Sequence, residues 1–242
     1  MPSYFFNLEL AIDQMPEGPS IYIIKNLLHP QIKGKKIIGA SGNAKIDMEQ
    51  LQAKKVVKVQ SWGKHLLIVL PNCTIRIHFL MFGTYSVDVQ TKPDRSLRLK
   101  LEFSNKEIYF YTCSVKLLFG DIDSLYDWEG DVLNEKWSDA KARRKLRQIP
   151  DTMVCDALLD QHIFAGVGNI IKNEVLYRIR LHPETLISCV PPRKISSLIK
   201  EARNYSFDFL KWKKEFVLKK QRKLKDQCGL DVHTFPFGFL VG

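Results

Sequence analysis

Leu158-Leu159-Asp160-Gln161-His162-Ile163-Phe164-Ala165-Gly166-Val167-Gly168-Asn169 runs directly into Ile170-Ile171-Lys172-Asn173-Glu174-Val175-Leu176-Tyr177. The apolar spacing predicts a short helix that enters a turn at Gly166 and Gly168, then a longer amphipathic helix starting near Asn169. Glycine there lets the backbone turn sharply and approach a ligand closely. Amides at the start of the second helix favour a phosphate, with Asn169 as a polar arm beside them. A Gly-x-Gly pair is weak by itself, because many helix pairs turn on glycine.

Charge points the same way. The 242 residues carry 37 Lys and Arg against 26 Asp and Glu, a formal net charge of +11 that favours a polyanionic partner. Lys141, Arg143, Arg144, Lys145 and Arg147 precede the glycine turn. Lys211, Lys213, Lys214, Lys219, Lys220, Arg222, Lys223 and Lys225 follow it, opposed within that span only by Glu215. Either group can be a solvated helix face. Two of them flanking a turn suited to phosphate suggest nucleic acid.

Around this centre the chain divides in two. From Lys54 to Tyr111 short runs rich in β-branched and aromatic residues alternate with turn signals such as Leu70-Pro71-Asn72. Strands are expected at 54–60, 66–70, 73–78, 84–89, 97–103 and 107–111, forming a sandwich or barrel. From Asn134 the pattern is helical, with helices expected at 139–148, 152–159, 169–179, 192–211 and 212–223. The expected organisation is α+β. It comprises an extension over 1–14, a β-rich domain with a leading helix over 15–130, a helical domain over 131–218 and a tail over 219–242.

Several classes are set aside. No apolar run is long enough for a membrane span, and residues 1–14 lack the basic start of a signal peptide. Cys73, Cys113, Cys155, Cys189 and Cys228 are odd in number and contain no Cys-x-x-Cys, so neither a disulfide framework nor a zinc site is indicated. A cytoplasmic monomer is expected.

The remaining signal is Met15-Pro16-Glu17-Gly18-Pro19, followed by an apolar helical stripe that ends before His29-Pro30. Proline and glycine mark turns, and an acidic residue at a helix start is ordinary. The same residues carry chemistry if the chain is processed after Met15. Pro16 then offers a secondary amine that can attack a carbonyl-like carbon and form an iminium, and Glu17 can shuttle protons. In an intact chain beginning at Met1, the Pro16 nitrogen is a peptide nitrogen and no nucleophile.

The pentapeptide, the glycine turn, Trp62-Gly63-Lys64-His65-Leu66-Leu67 and His78-Phe79-Leu80-Met81-Phe82-Gly83 occur in an order that resembles the formamidopyrimidine-DNA glycosylase / endonuclease VIII family over roughly residues 15 to 218. The Met-Pro-Glu-Gly-Pro start is similar to the endonuclease VIII branch. The resemblance implies a β-sandwich joined to a helix–two-turn–helix, with duplex DNA in the cleft between them. It implies a bifunctional DNA glycosylase and AP lyase that excises oxidised bases, pyrimidines in preference, through a proline Schiff base. Pro16 would be the nucleophile, Glu17 the proton carrier, and Lys64 a strand-borne lysine that contacts DNA and assists catalysis. Met81, with Leu80 and Phe82, would fill the gap left by the everted base, buried core being the competing account. Gly166, Gly168 and Asn169 would bind the backbone.

Departures accompany the matches. The family typically ends in a zinc finger with two Cys-x-x-Cys pairs, whereas residues 219–242 offer only Cys228 and His233, short of four ligands, so no zinc is expected. That tail resembles a truncated or altered terminus. Ser20 stands where the family carries a second glutamate, and the Arg-Arg-Phe-Gly loop of the formamidopyrimidine branch is missing around Val115–Gly120. A non-catalytic duplex-DNA-binding relative is therefore the alternative to an enzyme.

Overall fold

The computed structural model describes residues 16–228, with side chains described to residue 219. The expectations placed on residues 1–15 and 229–242 lie outside the described residues. Helix α1 (Gly18–Ile32) opens the structure and buries Ile21, Ile24 and Leu28, the spacing of one helical face. It does not stop before His29-Pro30. Pro30 lies within it, and the helix continues to the fully buried Ile32. Tertiary burial outweighs the proline here, because each buried Ile or Leu contributes about 1.5–3 kcal/mol.

Two four-stranded antiparallel sheets follow. One has the order β1 (Gly39–Ser41), β6 (Leu97–Phe103), β7 (Lys106–Tyr111), β5 (Thr84–Val87). The other has β2 (Lys58–Trp62), β3 (His65–Val69), β4 (Thr74–His78), β8 (Ser114–Leu118). β6 alternates buried and half-buried positions along its whole length, the pattern of a strand with one face on a core. Strands β1 and β8 escape the sequence pattern. β1 has three residues, and β8 occupies the stretch where the family's Arg-Arg-Phe-Gly loop would stand.

Beyond the short α2 (Ile122–Leu125) come α3 (Asp139–Leu146), α4 (Val154–Leu159), α5 (Asn169–Ile179) and α6 (Pro192–Cys228). The two helices expected at 192–211 and 212–223 are one unbroken helix, since no glycine, proline or cap interrupts Leu210-Lys211-Trp212-Lys213. The same helix runs through residue 219, where the tail was expected to begin. Helix α1 packs on β2, β3 and α6, and α6 packs on α3 and α5, so one apolar cluster continues from the sandwich into the helices. The whole is an α+β fold.

Candidate active site

Glu17 and the start of α5 form the centre of the site. Glu17 is 2% exposed and caps α1 with its backbone oxygen, which accepts the N–H groups of Ser20 and Ile21. Its carboxylate turns the other way. Oε2 accepts the N–H of Gly168 at 3.0 Å and of Ile171 at 3.3 Å, and Oε1 accepts that of Ile170 at 2.7 Å. One residue therefore starts one helix and neutralises the positive end of another. Burial pushes the Glu17 carboxyl up from its ordinary value, while the three amides and the nearby Lys64 ammonium pull it down.

These hydrogen bonds correct one expectation. Three of the amides at the α5 start, those of Gly168, Ile170 and Ile171, are not free for a phosphate, because the chain's own carboxylate takes them. Asn169 itself remains exposed, its Oδ1 accepting Lys172 Nζ at 2.9 Å. Gly168 is needed for approach rather than for turning. A Cβ there would lie 2.5 Å from Glu17 Cδ.

Lys64 comes from a tight turn and not from a strand. Gly63 and Lys64 connect β2 to β3, Gly63 with φ +50°. Lys64 is half-buried, and burial lowers its ammonium pKa while Glu17 raises it. Three glycine backbones meet beneath it. Gly166, at φ +102°, accepts the Gly18 N–H at 2.9 Å, and a Cβ on Gly63 would stand 2.9 Å from Gly166 N. Only glycine allows Pro16-Glu17, Lys64 and the α5 start to converge this closely.

Met81 lies elsewhere, on the loop from β4 to β5. Leu80, Met81 and Phe82 are 52%, 54% and 59% exposed, which removes the buried-core account of them. Leu80 adopts φ +56°, and its N–H donates to His78 Nδ1 at 3.2 Å. That bond to the histidine accompanies the turn that leaves three apolar side chains in solvent.

The first basic cluster is less available than its sequence implies. Lys141 pairs with Asp127 at 2.6 Å and Glu129 at 2.8 Å, and Lys145 pairs with Asp127 at 2.8 Å. Arg143 donates to Ser196 Oγ at 2.8 Å, leaving Arg144 and Arg147 exposed. Lys214 lies over the Tyr22 ring at 5.7 Å. Among the described residues no group of three or more His, Cys, Asp or Glu could hold a metal, and the tail residues 229–242, His233 included, lie outside them. Sequence reasoning missed Gly18, Gly63 and Asp131. Gly18 and Gly63 lie within the Met15–Pro19 and Trp62–Leu67 motifs, where turn formation gives no sign of a close backbone contact, and no local signal marks Asp131.

Known proteins match this arrangement. Residues 15–116 match the formamidopyrimidine-DNA glycosylase N-terminal domain, and residues 131–206 match the formamidopyrimidine-DNA glycosylase H2TH domain. The chain is 31% identical over 193 residues to Endonuclease 8-like 3 of Mus musculus, covering 74% of this chain and 32% of the relative. It thus spans about a third of that protein's length. It is 28% identical over 210 residues to the formamidopyrimidine-DNA glycosylase of Lactobacillus helveticus, 76% of this chain and 73% of the relative. The crystal structure of Lactococcus lactis formamidopyrimidine-DNA glycosylase non-covalently bound to DNA containing an AP site superposes with a TM-score of 0.71. At 21% identity it covers 81% of this chain and 82% of that one, which shows the fold. The two domain matches cover the sandwich and the helical domain in that order, and the chain belongs to the formamidopyrimidine-DNA glycosylase / endonuclease VIII family.

Proposed function

We propose that this protein is a bifunctional DNA glycosylase and AP lyase acting on duplex DNA with oxidised bases, pyrimidines in preference, or abasic sites. The observation that carries the proposal is the junction. Glu17 is fixed by three amides immediately after Pro16, with the Lys64 ammonium in electrostatic range. A carboxyl whose burial raises its pKa suits proton transfer near neutral pH.

The everted nucleotide presents C1′ to the Pro16 nitrogen. Attack there breaks the glycosidic bond, the base leaves with a proton, and the proline becomes an iminium on the opened sugar. The iminium acidifies the C2′ proton, whose removal expels the 3′ phosphate and cuts the strand. Glu17 relays the protons, and Lys64 holds a phosphate and donates a proton to the leaving side. Leu80, Met81 and Phe82 stand ready to fill the vacated stack.

Pro16 follows Met15 in peptide linkage, and this favours a second reading, a duplex-DNA-binding relative without catalysis. Borohydride trapping on abasic and oxidised-pyrimidine duplexes separates the two. A chain beginning at Pro16 should form the covalent adduct and the chain beginning at Met1 should not. Equal trapping by both removes Pro16 as nucleophile, and trapping by neither leaves the binding reading. The mass of the native N-terminus provides the companion measurement, because a mature chain starting at Pro16 fits only the enzyme.

A further inference from the structure

Asp131 stands where both catalytic turns can be reached from one residue. It follows the 3-10 turn Trp128–Gly130 and is 4% exposed. Its Oδ2 accepts the Gly63 N–H at 3.1 Å and its Oδ1 accepts the Leu133 N–H at 3.0 Å. Its backbone forms a parallel bridge with Ala165. Val132 N–H donates to Ala165 O at 3.2 Å, and Ala165 N–H donates to Gly130 O at 2.8 Å. The side chain thus ties the turn that carries Lys64, while the backbone ties the turn that ends at Gly168 and holds Glu17.

We propose that Asp131 is a positioning residue whose carboxylate locks the Gly63–Lys64 turn onto the Ala165–Gly168 turn and so sets where Lys64 stands relative to Glu17. This rests on the reading of Lys64 and Glu17 as catalytic groups. The tie has little slack, because even a Cβ on Gly63 would stand 2.9 Å from Gly166 N. It also requires an acceptor on both sides. An ionised carboxylate meets two N–H donors with two acceptor oxygens, whereas a protonated acid or an amide turns a donor toward one of them.

Burial pushes the Asp131 carboxyl up to about 6, with the Leu133 and Gly63 amides, Arg203 of α6 and Lys25 of α1 acting against burial. A folded-state pKa above the ordinary carboxylate value means that the stabilising contribution is present at low pH and is lost as pH rises through about 6. The ionised form is therefore kept at the expense of stability, while it alone satisfies both turns. Fold stability and turn geometry make opposite demands on this proton.

Two measurements on the parent and the Asp131→Asn variant test the proposal. In the 15N-labelled full chain, the Gly63 amide proton should shift between about pH 5 and about pH 8 with a midpoint near that of the carboxyl, and the variant should lack the shift. In single turnover on an abasic duplex, with the form that traps, the variant should be slower by roughly tenfold or more, the loss of one charge-assisted hydrogen bond. Its duplex Kd and melting temperature at neutral pH should stay close to the parent's. A Gly63 amide that does not titrate, or titrates equally in both, overturns the tie. A rate loss matched by equal losses in Kd or melting temperature reduces Asp131 to a brace. A titrating Gly63 amide in a parent with no activity on any duplex refutes the catalytic reading of Lys64 and the positioning role with it, leaving the hydrogen bond intact.

Discussion

The Gly168 amide donates to the Glu17 carboxylate at 3.0 Å across 151 residues of sequence, and this bond joins the start of α1 to the glycine turn that opens α5. A carboxylate at a helix start accepts orphan amides and meets the positive end of the helix dipole. Helix capping and domain docking thus share one side chain, the carboxylate proposed to move protons.

Gly168→Ala should separate activity from stability. Gly168 has φ −124°, which alanine adopts freely, so the only conflict is the Cβ against the Glu17 side chain. That side chain can swing aside, leaving three amides without a partner at a cost of about 1–3 kcal/mol for each that stays buried. Borohydride trapping should fall by more than tenfold while the protein stays folded. Gly63→Ala meets the Gly166 backbone at φ +50° and cannot relax, so its melting temperature should fall much further. Equal melting temperatures for the two variants would refute this account of the junction.

The pH dependence of adduct formation should carry an acid limb set by Glu17. Burial raises its carboxyl above the ordinary 4.5, and as proton acceptor it works only when ionised. The rate should fall as pH drops through a value above 4.5, and Glu17→Gln should abolish that limb along with most of the rate. A limb that survives in Glu17→Gln would assign the titration to another group, the Pro16 amine or Asp131.

Salt dependence distinguishes lysines that meet DNA from lysines that hold the fold. Each neutralised phosphate contributes about 0.9 to the log–log slope for duplex DNA. Lys64→Gln should lower that slope by about one such step. Lys141→Gln should leave it unchanged and cost on the order of 0.2–1 kcal/mol of stability, since Lys141 is paired with Asp127 and Glu129 at a partly exposed site. Slope measurements by fluorescence anisotropy decide the matter, and a reduced slope for Lys141→Gln would return that cluster to the interface.

Much of this was legible in the sequence because it is local. The stripe Ile21, Ile24, Leu28 announces α1, and the alternation of Leu97–Phe103 announces a half-buried strand. Asn169 was a legible helix start because the glycines before it break the preceding helix. What stayed hidden is long-range. Nothing near Gly168 says that its amide belongs to Glu17, and nothing near Lys141 says that Asp127 neutralises it. The three-residue β1 is too short to show a period, and Asp131 resembles any acidic residue after a turn until Gly63 is brought against it.

The exposed loop Leu80–Phe82 yields the last expectation. Its three apolar side chains are about half exposed, held out by φ +56° at Leu80 and by the Leu80 amide on His78. Solvent-facing apolar side chains of this kind are paid for in folding by nothing visible within the chain, and they fit an unstacked base step. Met81→Ala should therefore change stability by no more than about 0.5 kcal/mol, as at other exposed positions. It should slow excision of a base-paired lesion, where opening the stack costs a few kcal/mol, more than cleavage at an abasic site, where no base must be everted. Single-turnover rates on the two duplexes supply the comparison. Equal slowing on both would show that Met81 supports binding in general, and no slowing on either would remove the loop from the DNA interface.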